Sequence, residues 1–193
     1  HGIRDVERSR GLGDVYKRQD YDKLIKQFGT QKLSNEILIK LQKITGEDHF
    51  MLRRGVFFSH RDLNLILDSH EKGKEFFLYT GRGPSGHTHI GHLVPWVFAK
   101  WLQDKFNVNM YFQLTDDEKF FSKQELSLEQ TSGFALENAL DFIALGFNPK
   151  KTKIIIDTKN IKSLYPIAAE VAKKVKYNAN INQYNAQGEI YVV

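Results

Sequence analysis

Cysteine is absent from the 193 residues, which excludes disulfides and thiolate metal sites and suits an intracellular protein. No apolar run approaches the roughly 18 residues of a membrane-spanning helix, so no membrane partner is expected. No internal repeat is found, which removes solenoids and arrays. Two phosphate signatures fail as well. The turn at 81–86 is not followed by Gly-Lys-Ser/Thr, so it is not a Walker loop. Gly81, Gly83 and Gly86 have the spacing of the dinucleotide fingerprint, but Pro84 stands inside it, and the turn is set apart from that fingerprint on this ground.

What is present can build a core. Fourteen phenylalanines and eight tyrosines support one domain, or one plus part of another. The formal charge of +5 favours an anionic partner only weakly, because the lysines are scattered over solvated faces. Residues 1–19 read as foreign to the rest. They set Arg4, Arg8, Arg10, Lys17 and Arg18 against Asp5, Glu7 and Asp14 with little apolar periodicity. Asp14 to Gln19 back-translates to GATGTGTATAAGAGACAG, a transposase end used in library preparation. A non-native leader is the expectation, and a genuine basic tail the alternative.

Periodicity organises the remainder. Ile37, Leu38, Leu41 and Ile44 predict a helix over 34–45 that stops at Gly46. Residues 50–58 read as an apolar extended run. The S-x-x-D string from Ser59 to Asp62 reads as a capping box opening a helix that stops at Gly73. Residues 75–80 form a continuously apolar strand, of the kind covered on both faces in parallel sheets. A helix over 92–106 presents Val94, Val97, Phe98, Trp101 and Leu102 on one side. A second strand, 109–114, alternates Met110, Phe112 and Leu114 against Tyr111 and Gln113. Ser127 and Gln130 form another capping box, before a helix with Leu136, Ala139, Leu140 and Ile143 inward. A third strand at 153–157 and a helix over 166–176 follow. Strands alternating with helices predict an α/β fold, a Rossmann-like doubly wound parallel sheet. The chain divides into the leader 1–19, an N-terminal helical or hairpin segment 20–73, and the first half of a catalytic domain, 74–193, ending in what reads as a cut-off strand at 190–193.

The chemistry gathers where strands end. The segment 76–92 runs from an aromatic strand through a glycine turn into a helix headed by His89 and His92. Glycines admit a ligand close to the backbone, and a helix start offers free N–H groups and a positive dipole end. Imidazoles there can donate to phosphate oxygens as charge builds up in transfer. Gly91 leaves room for a flat group such as adenine against the backbone. Two other readings stay open: His87, His89 and His92 as zinc ligands, or as polar helix-start residues without a role. Thr115, Asp116 and Asp117 read as an N-cap and a solvated first turn. Gln113 differs, being polar near the end of a buried strand, where it needs a partner such as a ligand amine or indole N–H.

These residues resemble the tryptophanyl-tRNA synthetases of archaeal and eukaryotic type, within the class I aminoacyl-tRNA synthetases. The resemblance runs from about Asp20 to Tyr177. It is carried by R-R-G-V-F-F-S-H-R-D at 53–62, L-Y-T-G-R-G-P at 78–84, H-I-G-H at 89–92, K-W-L-Q-D at 100–104 and Q-L-T-D-D-E-K at 113–119. H-I-G-H marks the class only; the first and last strings mark the amino acid. The resemblance implies a Rossmann domain, cytoplasmic and homodimeric, that joins tryptophan to ATP (with Mg2+) and then to tRNA, with no metal held by protein ligands. It places His89 and His92 on the ATP phosphates as catalytic groups, Gly91 under adenine, and Arg82 and Gly83 in the nucleotide pocket. Tyr79, Gln113 and Glu118 fall at tryptophan-recognising positions. It also places the K-M-S-x-S loop and the anticodon-binding domain beyond Val193, so these residues alone are expected to be inactive. From Tyr177 onward the chain drifts from the family pattern, which leaves both a native tail and a frameshifted one open for 178–193. The alternatives are a tyrosyl-tRNA synthetase, sharing the fold and H-x-G-H, and a truncated nucleotide-binding paralogue without catalysis.

Overall fold

The computed structural model describes residues 21–174 and the strand Glu189–Ile190. The leader at 1–19 and the rest of the tail, including the end of the helix expected to reach 176, lie outside the described residues.

The N-terminal part is α1 (Tyr21–Phe28), β1 (Gln31–Lys32), α2 (Asn35–Thr45), α3 (Phe50–Arg53), β2 (Ser59–His60) and α4 (Leu63–Glu71). Local chemistry sets α2 as expected: the Ser34 hydroxyl accepts from the Ile37 N–H, and Gly46 ends the helix at φ 77°, where a side chain would be strained. The next two expectations fail. Residues 50–53 are helical rather than extended, because His49 Nδ1 accepts the Met51 N–H at 3.3 Å and the turn buries Met51 and Leu52. The capping box at Ser59 does not form. Ser59 pairs with β1 and is fully buried, so its backbone belongs to a strand. Its Oγ has no hydrogen-bond partner. His60 Nδ1 caps instead, accepting from the Leu63 N–H at 3.3 Å, and burial holds that imidazole below the ordinary histidine pKa. The R-R-G-V-F-F-S-H-R-D string is thus largely architecture here.

The second part is β3 (Phe77–Arg82), α5 (Ile90–Phe106), β4 (Asn109–Leu114), α6 (Asp116–Ser122), α7 (Leu128–Ala144), β5 (Thr152–Ile156), α8 (Asp157–Lys174) and β6 (Glu189–Ile190). β3, β4 and β5 are parallel and adjacent in that order, with Gly81 opposite Gln113 and Gln113 opposite Ile155. The Rossmann-like α/β reading therefore stands. β6 runs parallel to β2 in a separate small sheet with β1.

Right-handed crossovers between strands laid down in sequence put their helices on one face. That face holds the core: Met110, Phe112 and Leu114 of β4 pack against Trp96 of α5 and Ala135, Ala139 and Phe142 of α7. On the opposite face Phe77 and Tyr79 remain 56% and 54% exposed, so β3 is not covered on both sides as its composition implied. α5 is buried on two sides. Phe98, with Val94, Val97, Trp101 and Leu102 around it, closes a second cluster with Leu41, Leu52, Phe57, Leu63 and Leu67.

Two helices depart from their sequence pattern. α7 buries Thr131, Ala135, Asn138, Ala139 and Phe142, while Leu136, Leu140 and Ile143 are exposed. Ala135 and Ala139 let the helix approach the sheet closely enough for Phe142 to stack on Phe112, and that close fit outweighs burial of three larger aliphatics. α8 begins at Asp157, nine residues before Pro166, and runs through that proline. Its first turn is held by Asn160 Nδ2, which donates to the Ile156 carbonyl at 2.8 Å.

Candidate active site at the strand ends

The carboxyl ends of β3, β4 and β5 bring Arg82, Thr115 and Asp157 to one rim, the usual ligand position in open α/β sheets. Strand and turn are joined by the Thr115 N–H, which donates to the Arg82 carbonyl at 3.1 Å. Glycine has a steric reason twice here. A Cβ on Gly81 would lie 2.4 Å from the Gln113 carbonyl oxygen, and one on Gly83 would lie 2.0 Å from Lys119 Cε. The backbone clash at Gly81 has no flexible partner to move. At Gly83 the Lys119 stem crosses the turn, so the two motif strings meet in space.

Arg82 braces the turn. Its Nη1 donates to Thr88 Oγ1 at 2.7 Å and its Nη2 to the carbonyls of Gly86 and His87 at 3.1 and 2.8 Å. Burial lowers its pKa, opposed by the Asp141 charge. α7 supports the same turn through Asn138 Nδ2, donating to the Gly86 carbonyl at 3.2 Å. His87 Nδ1 lies 3.0 Å from Glu137 Oε2. Asn138 carried no sequence signal as a site residue, because a separation of 52 positions from Gly86 hides the contact.

His89 and His92 form a reciprocal cap at the start of α5. His89 is the N-cap, and its Nδ1 accepts from the Gly91 N–H at 3.2 Å. His92 Nδ1 accepts from the His89 N–H at 3.2 Å. A nitrogen that accepts cannot carry the proton of a neutral ring. The proton of a neutral imidazole is therefore on Nε2, the one nitrogen left to donate outward. Burial, then the charges of Arg82 and His89, push His92 below the ordinary histidine pKa, so it is neutral at pH 7. The rings lie 3.7 Å apart between centroids. Gly91 has a reason of its own, since a Cβ there would stand 3.1 Å from the His89 ring. His87 turns to Glu137 and the other two rings use Nδ1 on backbone, so the three imidazoles do not converge. Among the described residues no cluster of three or more His, Cys, Asp or Glu side chains is placed to hold a metal ion.

A polar chain crosses from β3 through β4 to the start of α8. The Tyr79 hydroxyl donates to Gln113 Oε1 at 2.5 Å, and Gln113 Nε2 donates to Asp157 Oδ1 at 2.7 Å. Burial pushes the Asp157 carboxyl up to about 6, with Asp117 and Asp116 adding to the rise and the Gln113 hydrogen bond opposing it. Partial burial and the Asp157 charge raise the Tyr79 phenol. Asp116 is not solvated, as its place in a helix first turn implied. It is fully buried and accepts from the Thr158 N–H at 3.1 Å and Thr158 Oγ1 at 2.5 Å, tying α6 to α8. Glu118 meets Lys119 at 3.0 Å and makes no hydrogen bond to Tyr79 or Gln113.

The sequence offered no reason to single out Asp157. It read as the last residue of a strand, and its partner Gln113 is 44 positions away. The raised pKa carries a stability consequence. Folding favours the protonated carboxyl, so this contribution is complete below the unfolded value near 3.8 and is lost as pH rises through about 6. Asp157→Asn is therefore expected to stabilise the full-length protein above pH 6 by up to about 3 kcal/mol, at 1.36 kcal/mol per unit, with the gain vanishing below pH 4. Urea unfolding of both proteins at pH 4 and pH 8 checks this; a loss of stability at pH 8 would contradict it.

Comparison with known proteins identifies the family. Residues 71–185 match the family of tRNA synthetases class I (W and Y), past the point near Tyr177 where the sequence pattern weakens. The chain is 57% identical over 165 residues to the tryptophan–tRNA ligase of Pyrobaculum calidifontis, covering 86% of this chain and 44% of that protein. It is 54% identical to that of Saccharolobus solfataricus, covering 86% and 43%. The fold superposes on the crystal structure of Plasmodium falciparum tryptophanyl-tRNA synthetase with a TM-score of 0.78 and 43% identity, over 82% of this chain and 44% of that one. The tryptophan-bound enzyme of Encephalitozoon cuniculi gives 0.77 and 37%, over 85% and 52%. The chain thus spans less than half the length of those two ligases. With the family match covering more than half its residues, the chain belongs to the class I tRNA synthetases of the W and Y group.

Proposed function

We propose that the full-length protein activates tryptophan with ATP and transfers it to tRNA. The observation that carries the first step is the pair of histidines at the start of α5, each with Nδ1 committed to backbone. Two Nε2–H donors then face the region where the glycine turn and helix N-terminus favour phosphate. The substrate carboxylate attacks the α-phosphorus in line, the bond from that phosphorus to the α,β-bridging oxygen breaks, and pyrophosphate leaves with that oxygen. His89 and His92 would stabilise charge on the phosphate oxygens, and no protein nucleophile is needed. Arg82 holds the turn that shapes the nucleotide pocket, with Gly83 letting the Lys119 stem lie against that turn and Gly91 offering a flat surface to adenine. Magnesium enters on the ATP phosphates as part of the substrate.

Tyr79 and Gln113 are the groups proposed to meet the indole, and Glu118 to reach the amino group of tryptophan. Two acceptor oxygens, on Tyr79 and Gln113, suit an indole N–H, whereas phenylalanine would leave them unpaired. The names of the relatives described above favour tryptophan over tyrosine. The cytoplasm and a homodimer complete the proposal; among the described residues no helix is long and apolar enough to cross a membrane.

ATP–pyrophosphate exchange on the full-length enzyme tests the assignment. Exchange is expected with tryptophan, and exchange with tyrosine alone would overturn it. Gln113→Ala is expected to raise the tryptophan KM about tenfold or more while leaving the ATP KM nearly unchanged. An unchanged tryptophan KM would remove Gln113 from the pocket.

A further inference from the structure

Asp157 lies at the junction of β5 and α8, is only 7% exposed, and is not needed for the chemical step. Such a carboxyl needs an explanation, because it stands near two others, Asp116 and Asp117, and is ionised there at a cost in stability. Its contact with Gln113 supplies one.

An amide side chain has a donor end and an acceptor end, and nothing in its shape decides which end faces which way. A carboxylate can only accept. With Asp157 Oδ1 2.7 Å from Gln113 Nε2, the amide nitrogen is held toward β5 and the carbonyl oxygen toward β3. There Oε1 faces the Tyr79 hydroxyl at 2.5 Å, which must then donate. At the Tyr79 end the Tyr79 oxygen lone pairs and the second lone pair of Gln113 Oε1 remain, and these are acceptors; the second N–H of the amide stays at its Asp157 end. The whole rim is set to one polarity from the buried end of the chain.

We infer that Asp157 is a positioning residue for substrate selection: it fixes the polarity of the Gln113 amide, and through it of Tyr79, so that the amino-acid pocket accepts a ligand N–H. This rests on the tryptophan-activating reading above. Asp157 hydrogen-bonds to Gln113, and the histidines and the glycine turn are held by other partners, so its effect falls on recognition of the side chain and not on ATP. Without the carboxylate, Gln113 can turn its NH2 toward the pocket, and an indole N–H then meets a donor.

The test compares tryptophan with β-(3-benzothienyl)alanine, in which sulfur replaces the indole N–H, in pyrophosphate exchange by the full-length enzyme. Wild type is expected to prefer tryptophan strongly. In Asp157→Ala the tryptophan kcat/KM falls about tenfold, through KM, the value for a hydrogen bond of about 1.4 kcal/mol. The analogue, which never used the acceptors, keeps its own kcat/KM, so the preference falls about tenfold as well. Asp157→Asn keeps the size, removes the charge and offers either polarity to Gln113, and its preference falls between the two. A merely structural role would lower both substrates equally and leave the ratio unchanged, and that result in either folded variant overturns the inference. Should Asp157→Ala fail to fold, Asp157→Asn decides alone by the same ratio. Absence of tryptophan-dependent exchange in the unsubstituted enzyme is a separate outcome, which would overturn the activity on which the inference rests.

Discussion

Replacing His92 with alanine in the full-length enzyme slows tryptophan-dependent pyrophosphate exchange by a factor of about 10²–10³ in kcat, while the tryptophan KM changes little. The size is that of one lost donor to developing charge, about 2.7–4 kcal/mol. The direction follows from geometry. His92 is neutral, its Nδ1 is occupied by the His89 N–H, and its Nε2–H is the part free to meet phosphate. A neutral donor contributes little to binding the ground state and more as charge builds up in transfer. His89→Ala behaves in the same way, since its Nδ1 is likewise held by the Gly91 N–H. Either substitution also breaks the reciprocal cap, at about 0.5–2 kcal/mol of helix stability, so thermal unfolding should accompany the kinetics. A rise in KM without a fall in kcat would contradict the assignment.

Phe142→Ala is expected to destabilise the full-length protein by about 3–5 kcal/mol, the range for removing a buried aromatic from a packed core. Phe142 is fully buried at the centre of an aromatic stack. Its ring lies 3.8 Å from Phe112 at an interplanar angle of 6°, 4.0 Å from Phe147 at 17°, and meets Trp96 edge-on at 5.7 Å. Those partners belong to β4, the segment after α7, and α5, so one ring joins the sheet to both crossover helices. The neighbours are themselves large and rigid and cannot collapse into the space. Phe142→Leu keeps much of the volume and is expected to lose less than half as much. Urea denaturation measures both, and a loss below about 1 kcal/mol for alanine would show that the stack is not the centre of the core.

The legible parts of the fold are those set by neighbours in sequence. Ser34 and Gly46 bound α2 as their chemistry predicts, and the Ser127–Gln130 box opens α7. The alternation of Met110, Phe112 and Leu114 assigns the buried face of β4 correctly. Capping failed where tertiary pairing claimed the residue first. Ser59 has the spacing of a capping box, yet strand pairing with β1 takes its backbone and leaves His60 to cap α4. The inward face of α7 was misread for a similar reason. Periodicity finds the most apolar stripe, whereas the sheet selected the stripe with the small residues.

The site divides along the same line. Sequence by itself determined which chemical groups are available: a glycine turn, two histidines three apart, and a glutamine on a buried strand. The glycine turn and the histidines are close in sequence, so a single turn of chain brings them together whatever the rest does, whereas Gln113 meets β3 only through strand pairing. Only the tertiary structure decided how those groups are presented. The packing of α7 on the sheet brings Asn138 to the turn, the order β3–β4–β5 sets Tyr79, Gln113 and Asp157 in one hydrogen-bonded line, and burial of Asp157 raises its pKa. A hydrogen bond between residues 34 or 44 positions apart has no local signature. It exists because parallel pairing places the strand ends side by side, and that register is a property of the whole sheet.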